Sequence, residues 1–472
     1  MFDCTKEACQ YINDHDIAMV DLKVTGLSGQ WLHLTIPAEH FGPKYFEEGI
    51  GYDGSSGSGF TSVEDGDVVA VPQAQTAFVD PFCELPTISF VCDTATADTR
   101  VPVGSDPRTI AKRAVAYMQS KNIADEALMA PEFEFHVLDH VELVNDPYHT
   151  SVVLHSDEVA TEGNVPAINA RAGYMRLPPA DQLHDMRSEI TAILTQLGVP
   201  VHYHHHEVGA PGQCEIEVDR CDLVRAADHT MVIKYVVKNV AARHGKLATF
   251  MPKPIYGEAG NGMHVHQLLR KGGQNLFFGA GNGGYADLSA LAIQYISGLL
   301  LHGRALTGLT NPSTNSFKRL VQGYEAPVNL FFSLANRSAT IRVPKYATKK
   351  DDKRIEYRPP DFTGNIYLSL SAMLMAGLDG IESAVDPASH HFGPFDVDIA
   401  TKDEAFRDKI TALPKSLTEA LAALDEDRTF LTRGEVFSDA LIDGWVDTKR
   451  RRDVTLMRSR PHPFEYQLYL DA

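Results

Sequence analysis

The chain has 472 residues, 43 Lys and Arg against 62 Asp and Glu, and a formal charge of −19. Such acidity argues against nucleic acid or an anionic membrane surface as the main partner, although a local Arg cluster can still grip an acidic substrate. With 44% apolar residues, a chain of this size buries on the order of three-quarters of its unfolded surface and needs no disulfide or metal staple to fold.

At roughly 150 residues per domain the length suggests about three domains, or one large α/β domain beside a small one. Residues 1–7 lack the basic-then-apolar pattern of a signal peptide. The cysteines at 4, 9, 83, 92, 214 and 221 form no C-x-x-C pair, so neither a zinc knuckle nor a thioredoxin-like motif is present. No apolar run reaches the ~18 residues of a membrane span, the best lying at residues 367–378. A cytoplasmic protein that meets neither membrane nor nucleic acid is expected.

Residues 17–24 and 31–36 alternate around Gly26-Leu27-Ser28-Gly29, a hairpin signature. A Gly/Ser loop follows at residues 53–60, and short strands continue to about residue 103. Asp106-Pro107 reads as an N-cap with Pro in the first turn. It opens a helix carrying Ile110, Ala111, Ala114, Val115 and Met118 on one face. A domain boundary is placed near residues 103–105, giving units 1–103 and 104–472. Residues 181–197 and 222–244 read as helices stopped by Gly198 and Gly245. Residues 384–402, rich in Pro, Gly, His and Asp, read as a long surface loop.

Four segments between helices alternate with period two, and their polar faces carry the chemistry. Glu132, Glu134 and His136 share one face, with Phe133, Phe135 and Val137 on the other. Glu215 and Glu217 lie together opposite Cys214, Ile216 and Val218; His264 pairs with His266, and Arg354 with Glu356 and Arg358. Four such strands imply a sheet with one face on the core and the other lining a cavity of carboxylates, imidazoles and guanidiniums. Oxygen-dominated ligands with one or two imidazoles favour Mg²⁺ or Mn²⁺ over zinc or copper. The guanidiniums of Arg319, Arg337, Arg342, Arg354 and Arg358 suit carboxylate or phosphate clamping, and metals with Arg forks serve phosphoryl transfer. No G-x-x-x-x-G-K-[ST] occurs, so this is not a P-loop protein.

Two patterns are set aside. Residues 279–284 satisfy G-x-G-x-x-G, but no acidic residue follows about 20 positions on, so a loop is expected instead of a dinucleotide site. His204-His205-His206 cannot all ligate one ion, because consecutive strand residues point to opposite faces. One packed His and two incidental ones are expected.

From about residue 10 to its end the chain resembles a class I, bacterial-type glutamine synthetase. The match is carried by Asp53-Gly54-Ser55-Ser56, His206-Glu207-Val208 with Gly212-Gln213 and Glu215, Lys234-Tyr235-Val236-Val237, and Phe250-Met251-Pro252-Lys253-Pro254 to Gly262-Met263-His264. Asn311-Pro312, Lys318-Arg319-Leu320-Val321, Gly323-Tyr324-Glu325-Ala326-Pro327-Val328 and Asn336-Arg337-Ser338 complete it. The resemblance implies an α+β fold, an N-terminal β-grasp domain followed by a catalytic α/β domain with a curved antiparallel sheet. It also implies two stacked hexameric rings, a dodecamer with active sites between subunits. The implied reaction is ATP-dependent joining of ammonia to L-glutamate through γ-glutamyl phosphate, a step of nitrogen assimilation.

Carried over by residue, the resemblance puts one Mg²⁺ or Mn²⁺ on Glu134, Glu207 and Glu215, and a second on Glu132, His264 and Glu356. Arg319 and Gly260 would bind the amino-acid end of the substrate and Arg358 its γ-carboxylate. Arg337 and Arg342 would stabilise the transferring phosphoryl group. Glu207, His266, Arg342 and Arg354 would border ATP. Asp53 of a neighbouring subunit would bind ammonium, and Glu325 would close a flap over the intermediate. The chain departs from the family's usual residues at Ala259, Phe60, Asp351, Arg220 and Leu268. A γ-glutamyl ligase using an amine or polyamine, hinted at by Ala259 and Phe60, is the alternative enzyme. A catalytically silent relative would have lost metal ligands, and all six are present. Phe395 takes the position the resemblance assigns to a Tyr that is adenylylated in bacterial relatives, so that modification is not expected.

Overall fold

The computed structural model describes the chain apart from residues 1, 3, 58, 60, 62–65, 160–166, 280–283 and 325. The turn at Gly26–Gly29 reverses the chain between β1 (Met19–Thr25) and β2 (Trp31–Pro37), which pair antiparallel from Met19↔Pro37 to Thr25↔Trp31. Gly29 sits at φ +79°, and a Cβ there would lie 2.9 Å from Asn365 Cα. That close approach docks the turn on the rest of the chain: Asn365 Nδ2 donates to the Gly26 and Leu27 carbonyls, each at 3.1 Å.

The remaining strands of this N-terminal sheet are β3 (Ile50–Asp53), β4 (Asp67–Pro72), β5 (Phe78–Val79) and β6 (Thr87–Thr96). Their order is β2-β1-β6-β4-β3 with β5 beside β6, and β1 runs parallel to β6. The helix Thr5–Asp14 lays Ala8 and Ile12 on this sheet's core. That helix is missed by the strand-and-turn reading, because only two of its positions are buried and its apolar spacing is correspondingly sparse.

Asp106 caps the helix Pro107–Ser120 by accepting from Thr109 N at 2.8 Å. Beyond it run β7 (Glu126–Pro131), β8 (Phe133–Leu138), β9 (His140–Asn145), β10 (Thr150–His155), β11 (Val201–His206), β12 (Gln213–Val218), β13 (Cys221–Asp222) and β14 (Leu247–Thr249). They are followed by β15 (Val265–Lys271), β16 (Gln274–Asn275), β17 (Asn329–Leu334), β18 (Ala339–Val343) and β19 (Ile355–Tyr357). One sheet is ordered β11-β12-β8-β14, the other β13-β7-β15-β19-β18-β17 with β16 beside β15; β9 and β10 form a separate hairpin. Only β17 and β18 run parallel in these sheets. Glu132 alone separates β7 from β8, so the chain bends from one sheet into the other at a single residue.

Helices His184–Gln196 and Leu223–Arg243 cover the outer faces. The first starts later than its apolar spacing predicts; the Asp181 carboxylate just before it accepts from Leu183 N and from the Arg187 guanidinium. The apolar segment near residue 370 is the helix Ile366–Glu382, buried on every side from Ile366 to Gly380 and hence a core helix. It meets the helix Ala290–Leu301 at Gly298, where a Cβ would come within 2.7 Å of Gly380 N. Among the described residues no helix is long and apolar enough to cross a membrane. The segment read as a surface loop, 384–402, departs from that reading. Phe392 and Ile399 are buried, and Phe395 packs against Phe331 and Phe406 with ring centroids 6.1 and 5.3 Å apart.

Candidate active site

Directly opposed residues on neighbouring strands share a face. Across β11, β12 and β8 this rule aligns His205, Glu215 and Glu134 in one row. Across β15, β19 and β18 it aligns His266, Glu356 and Arg342 in another. Alternation sends Phe133, Phe135, Cys214 and Ile216 into the core behind the first row. Glu132, at the bend, donates from its own backbone N–H to nothing on its strand's neighbours in that row but to the His264 carbonyl, at 2.8 Å.

The rows face a cavity of about 210 Å³, lined among the described residues by six carboxylates (Glu132, Glu134, Glu207, Glu215, Glu217, Glu356) and four guanidiniums (Arg319, Arg337, Arg342, Arg358). Glu132 bridges the imidazoles of His264 and His266 at 2.6 and 2.8 Å. Glu356 accepts from Arg342 and Arg358, each at 2.7 Å. One oxygen of Glu134 accepts from Gly262 N at 2.6 Å. Arg319 is held beneath the cavity by the Pro359 carbonyl at 2.8 Å and the Arg358 carbonyl at 3.2 Å. Gly260 also lines it, and a Cβ there would collide with the Pro252 carbonyl and the Arg319 side chain.

Residues 16–97 match the beta-grasp domain of glutamine synthetase, and residues 104–469 match its catalytic domain. The chain belongs to the glutamine synthetase family. It is similar to the glutamine synthetase of Frankia alni, 42% identical over the whole of both chains. It is equally similar to the 3-hydroxylaminophenol mutase of Cupriavidus pinatubonensis, 43% identical over 99% of each. The solved glutamine synthetase of Plasmodium falciparum superposes with a TM-score of 0.89 at 25% identity, covering 99% of each chain.

In this family member the carboxylates are not alike. Burial disfavours the charged form of Glu132, yet His264 and His266 hold it well below the usual range. Burial, then Glu132, Glu207 and Glu134, push Glu215 well above it. Glu217 is raised by burial and by Glu132. That repulsion is what a divalent cation relieves, and among the described residues three groups have ligand atoms within 4.8 Å of one another: Glu132–His266–Glu356, His205–Glu207–Glu215 and Glu132–Glu215–Glu217. Oxygen-rich sets with at most one imidazole and no thiolate suit Mg²⁺ or Mn²⁺, so the residues fit the family's divalent metals.

His266 stands in the first trio, and His264 lies 2.6 Å from Glu132, 3.7 Å from Glu356 and 3.8 Å from Glu134, within reach of both sets of carboxylates. His205 is not incidental. It faces the cavity, whereas His206 is the packed one, bonded to Glu158 at 3.0 Å. Alternation itself would have separated them. Glu217, which donates nothing but accepts from the Tyr203 hydroxyl, lines the cavity too. Arg354 lies outside the lining, 3.3 Å from His266 Nδ1 and stacked on Tyr346 at 5.3 Å. Arg337 lines it beside the Tyr174 ring. Asp53 is exposed and not part of this cavity; it accepts from Ser55 N and Oγ at 2.9 and 2.6 Å. Glu325, Phe60 and most of the 279–284 glycine motif lie outside the described residues.

Proposed function

We propose that the chain is a glutamine synthetase, joining ammonia to L-glutamate at the expense of ATP. The observation that carries this reading is the single cavity in which six carboxylates, two of them raised, face four guanidiniums. A site for phosphoryl transfer needs both signs: anions to hold metals and cations to hold the substrate's carboxylates and the moving phosphoryl group. At about 210 Å³ the cavity falls below the ~300 Å³ of drug-sized pockets, which suits the reacting ends and not a whole nucleotide.

Glu132, Glu356 and the imidazoles of His264 and His266 would hold one Mg²⁺ or Mn²⁺; Glu207 and Glu215, with Glu134 and His205, would hold another. When bound, such ions neutralise phosphate charge and polarise phosphoryl oxygens. Arg319 fixes the α-carboxylate, and Arg358 orients the γ-carboxylate for attack on the terminal phosphorus of ATP. Arg337 and Arg342 stabilise charge on the phosphoryl group as it transfers, while Glu207, His266 and Arg354 border the nucleotide. Ammonia then displaces phosphate from the acyl phosphate to give glutamine. Glu325 excludes water during this step, and Asp53 of an adjacent subunit takes a proton from ammonium.

Two features support assembly into stacked rings. Among the described residues Asp53 does not line the cavity of its own chain, and the end of the chain leaves Phe464, Tyr466, Leu468, Tyr469 and Leu470 at least half exposed. A cytoplasmic location accompanies this reading. The test is phosphate release dependent on ATP, Mg²⁺ and glutamate, comparing ammonium with a panel of amines. Ammonium should be the best acceptor. Greater activity with an organic amine would transfer the assignment to the amine-ligase alternative, which the Tyr174, Tyr203, Tyr324 and Tyr346 rings around the cavity favour.

A further inference from the structure

Arg337 reaches the cavity wall from the turn of residues 335–338, which joins β17 to β18. The first residue of that turn, Ala335, lies at φ +65°, a left-handed conformation that a non-glycine residue keeps only where its surroundings hold it. Part of the holding comes from outside the two strands, from residues 392–397. Phe332 N donates to the Phe392 carbonyl and Phe395 N to the Phe332 carbonyl, each at 3.0 Å, so this segment runs beside β17 toward its end. There the Asp396 carboxylate takes over. A single oxygen, Oδ1, accepts from the Tyr285 hydroxyl, from Ser333 Oγ at 2.7 Å and from Leu334 N at 2.9 Å. Leu334 N also meets the Tyr285 oxygen at 2.6 Å, so two side chains grip the residue before Ala335. Within the turn, Asn336 Nδ2 donates to the Val397 carbonyl at 3.1 Å, and its Oδ1 accepts from Ser338 N and Oγ at 2.9 and 2.8 Å. Residues 334, 336 and 338 are thereby fixed, and Arg337 stands between them.

Neither Asp396 nor any of the three groups bonded to its Oδ1 lines the cavity, so contact with a substrate is not what this cluster provides. Hydrogen bonds to an ionised acceptor are the strong kind, and these hold the Asp396 carboxyl below the usual carboxylate range although burial opposes it. A guanidinium that stabilises a transition state does so only if it is already aimed where charge develops. We propose that Asp396 is a positioning residue for Arg337: by bracing the 335–338 turn it holds that guanidinium at the cavity wall. This rests on the reading above that Arg337 stabilises the transferring phosphoryl group. All three donors converge on one oxygen, so the role asks for an acceptor of the right shape and not for a negative charge.

The experiment is a double-mutant cycle on the full protein. It follows glutamate-dependent phosphate release with ATP, Mg²⁺ and ammonium, and records the melting temperature of each variant. Asp396→Leu removes the acceptor from all three donors and should lower kcat and kcat/KM together by about 10-fold, as misplacing a catalytic group does. Asp396→Asn keeps an oxygen at the Oδ1 position and should hold turnover within about 2-fold of wild type. Asn336→Ala cuts the tie to Val397 and should follow Asp396→Leu. Arg337→Ala removes the guanidinium itself and should cost about 100-fold or more. In that background Asp396→Leu or Asn336→Ala should change kcat by less than about 2-fold, because a group that acts through Arg337 has nothing left to position. The same fractional loss with and without Arg337 overturns the inference alone. So does a loss in Asp396→Asn as large as in Asp396→Leu, or a lower melting temperature with kcat intact. An Arg337→Ala enzyme with wild-type turnover overturns the role read for Arg337 and the inference with it. A wild-type protein that releases no glutamate-dependent phosphate overturns the functional reading itself.

Discussion

Two buried charge clusters in this chain look alike in composition and differ in bookkeeping. At the junction of the N-terminal sheet with the rest, Arg108 meets Asp228 at 2.9 Å and Asp93 at 2.5 Å, and Tyr367 donates to Asp228 at 2.6 Å. Each charge there has an opposite within reach, and burial is offset from inside the protein. In the cavity the acids outnumber their partners. Glu356 is matched by two guanidiniums and Glu132 by two imidazoles, whereas Glu215 faces other carboxylates. A self-neutralised cluster does the work of holding domains together. One left with like charges facing each other stores the free energy that a ligand recovers.

The sharpest separation of the two should come from Glu215→Gln. Turnover should be lost, yet the melting temperature in chelator should rise above wild type, because a buried, repelled carboxyl is gone. Wild type should gain about 2.7 kcal/mol of stability with Mn²⁺ at a hundredfold its dissociation constant, and the variant should gain far less. A variant that is less stable in chelator would show that the cavity is balanced internally after all.

Asp228→Asn should do the reverse. It leaves the Arg108 guanidinium short of a carboxylate in a buried setting, which costs about 3–5 kcal/mol, read as a lower denaturation midpoint. Catalysis per folded molecule should be unchanged. A loss of turnover with an unmoved midpoint would place this cluster with the site instead.

A smaller effect concerns His302, whose ring nitrogens lie 3.0 Å from Asp379 and 2.8 Å from Asp427. Burial opposes its charge, but the two carboxylates raise its pKa above the ordinary value. A folded-state pKa above the unfolded one means that the stabilisation is complete below the unfolded value of ~6.5 and is lost as pH rises through the folded one. Denaturation midpoints should therefore decline above neutrality, and His302→Gln should flatten that decline. An unchanged slope would remove His302 from the self-neutralised class.

The smallest expected effect is none at all. Phe395 packs between Phe331 and Phe406 and has no hydroxyl to carry AMP. Incubation with an adenylyltransferase and labelled ATP should leave residues 384–402 unlabelled on peptide mapping; label there would refute it.

Period two was enough to set Glu132 with Glu134, Glu215 with Glu217, His264 with His266 and Glu356 with Arg358 on shared strand faces, because alternation is a property of the backbone and needs no partner. What alternation cannot supply is which strands lie side by side. His205 gains its place from the register that sets it opposite Glu215. The hairpin of β9 and β10 is illegible for another reason: its burial follows no alternation, so no face is marked in the sequence. The segment 384–402 misled through composition. Pro, Gly and His signal a loop, but Phe392, Phe395 and Ile399 fill space beside β17, and the loop is tethered.

The bend at Glu132 limits how this site can work. Since one residue joins β7 to β8, the two walls of the cavity are hinged like a sheet of card along a crease. The separation between the rows is therefore set by covalent geometry and ladder bonds, far stiffer than any side-chain rotamer. The candidate cation-holding groups on the two walls are thus joined through one backbone residue and ladder hydrogen bonds, and not only through side chains that can change rotamer.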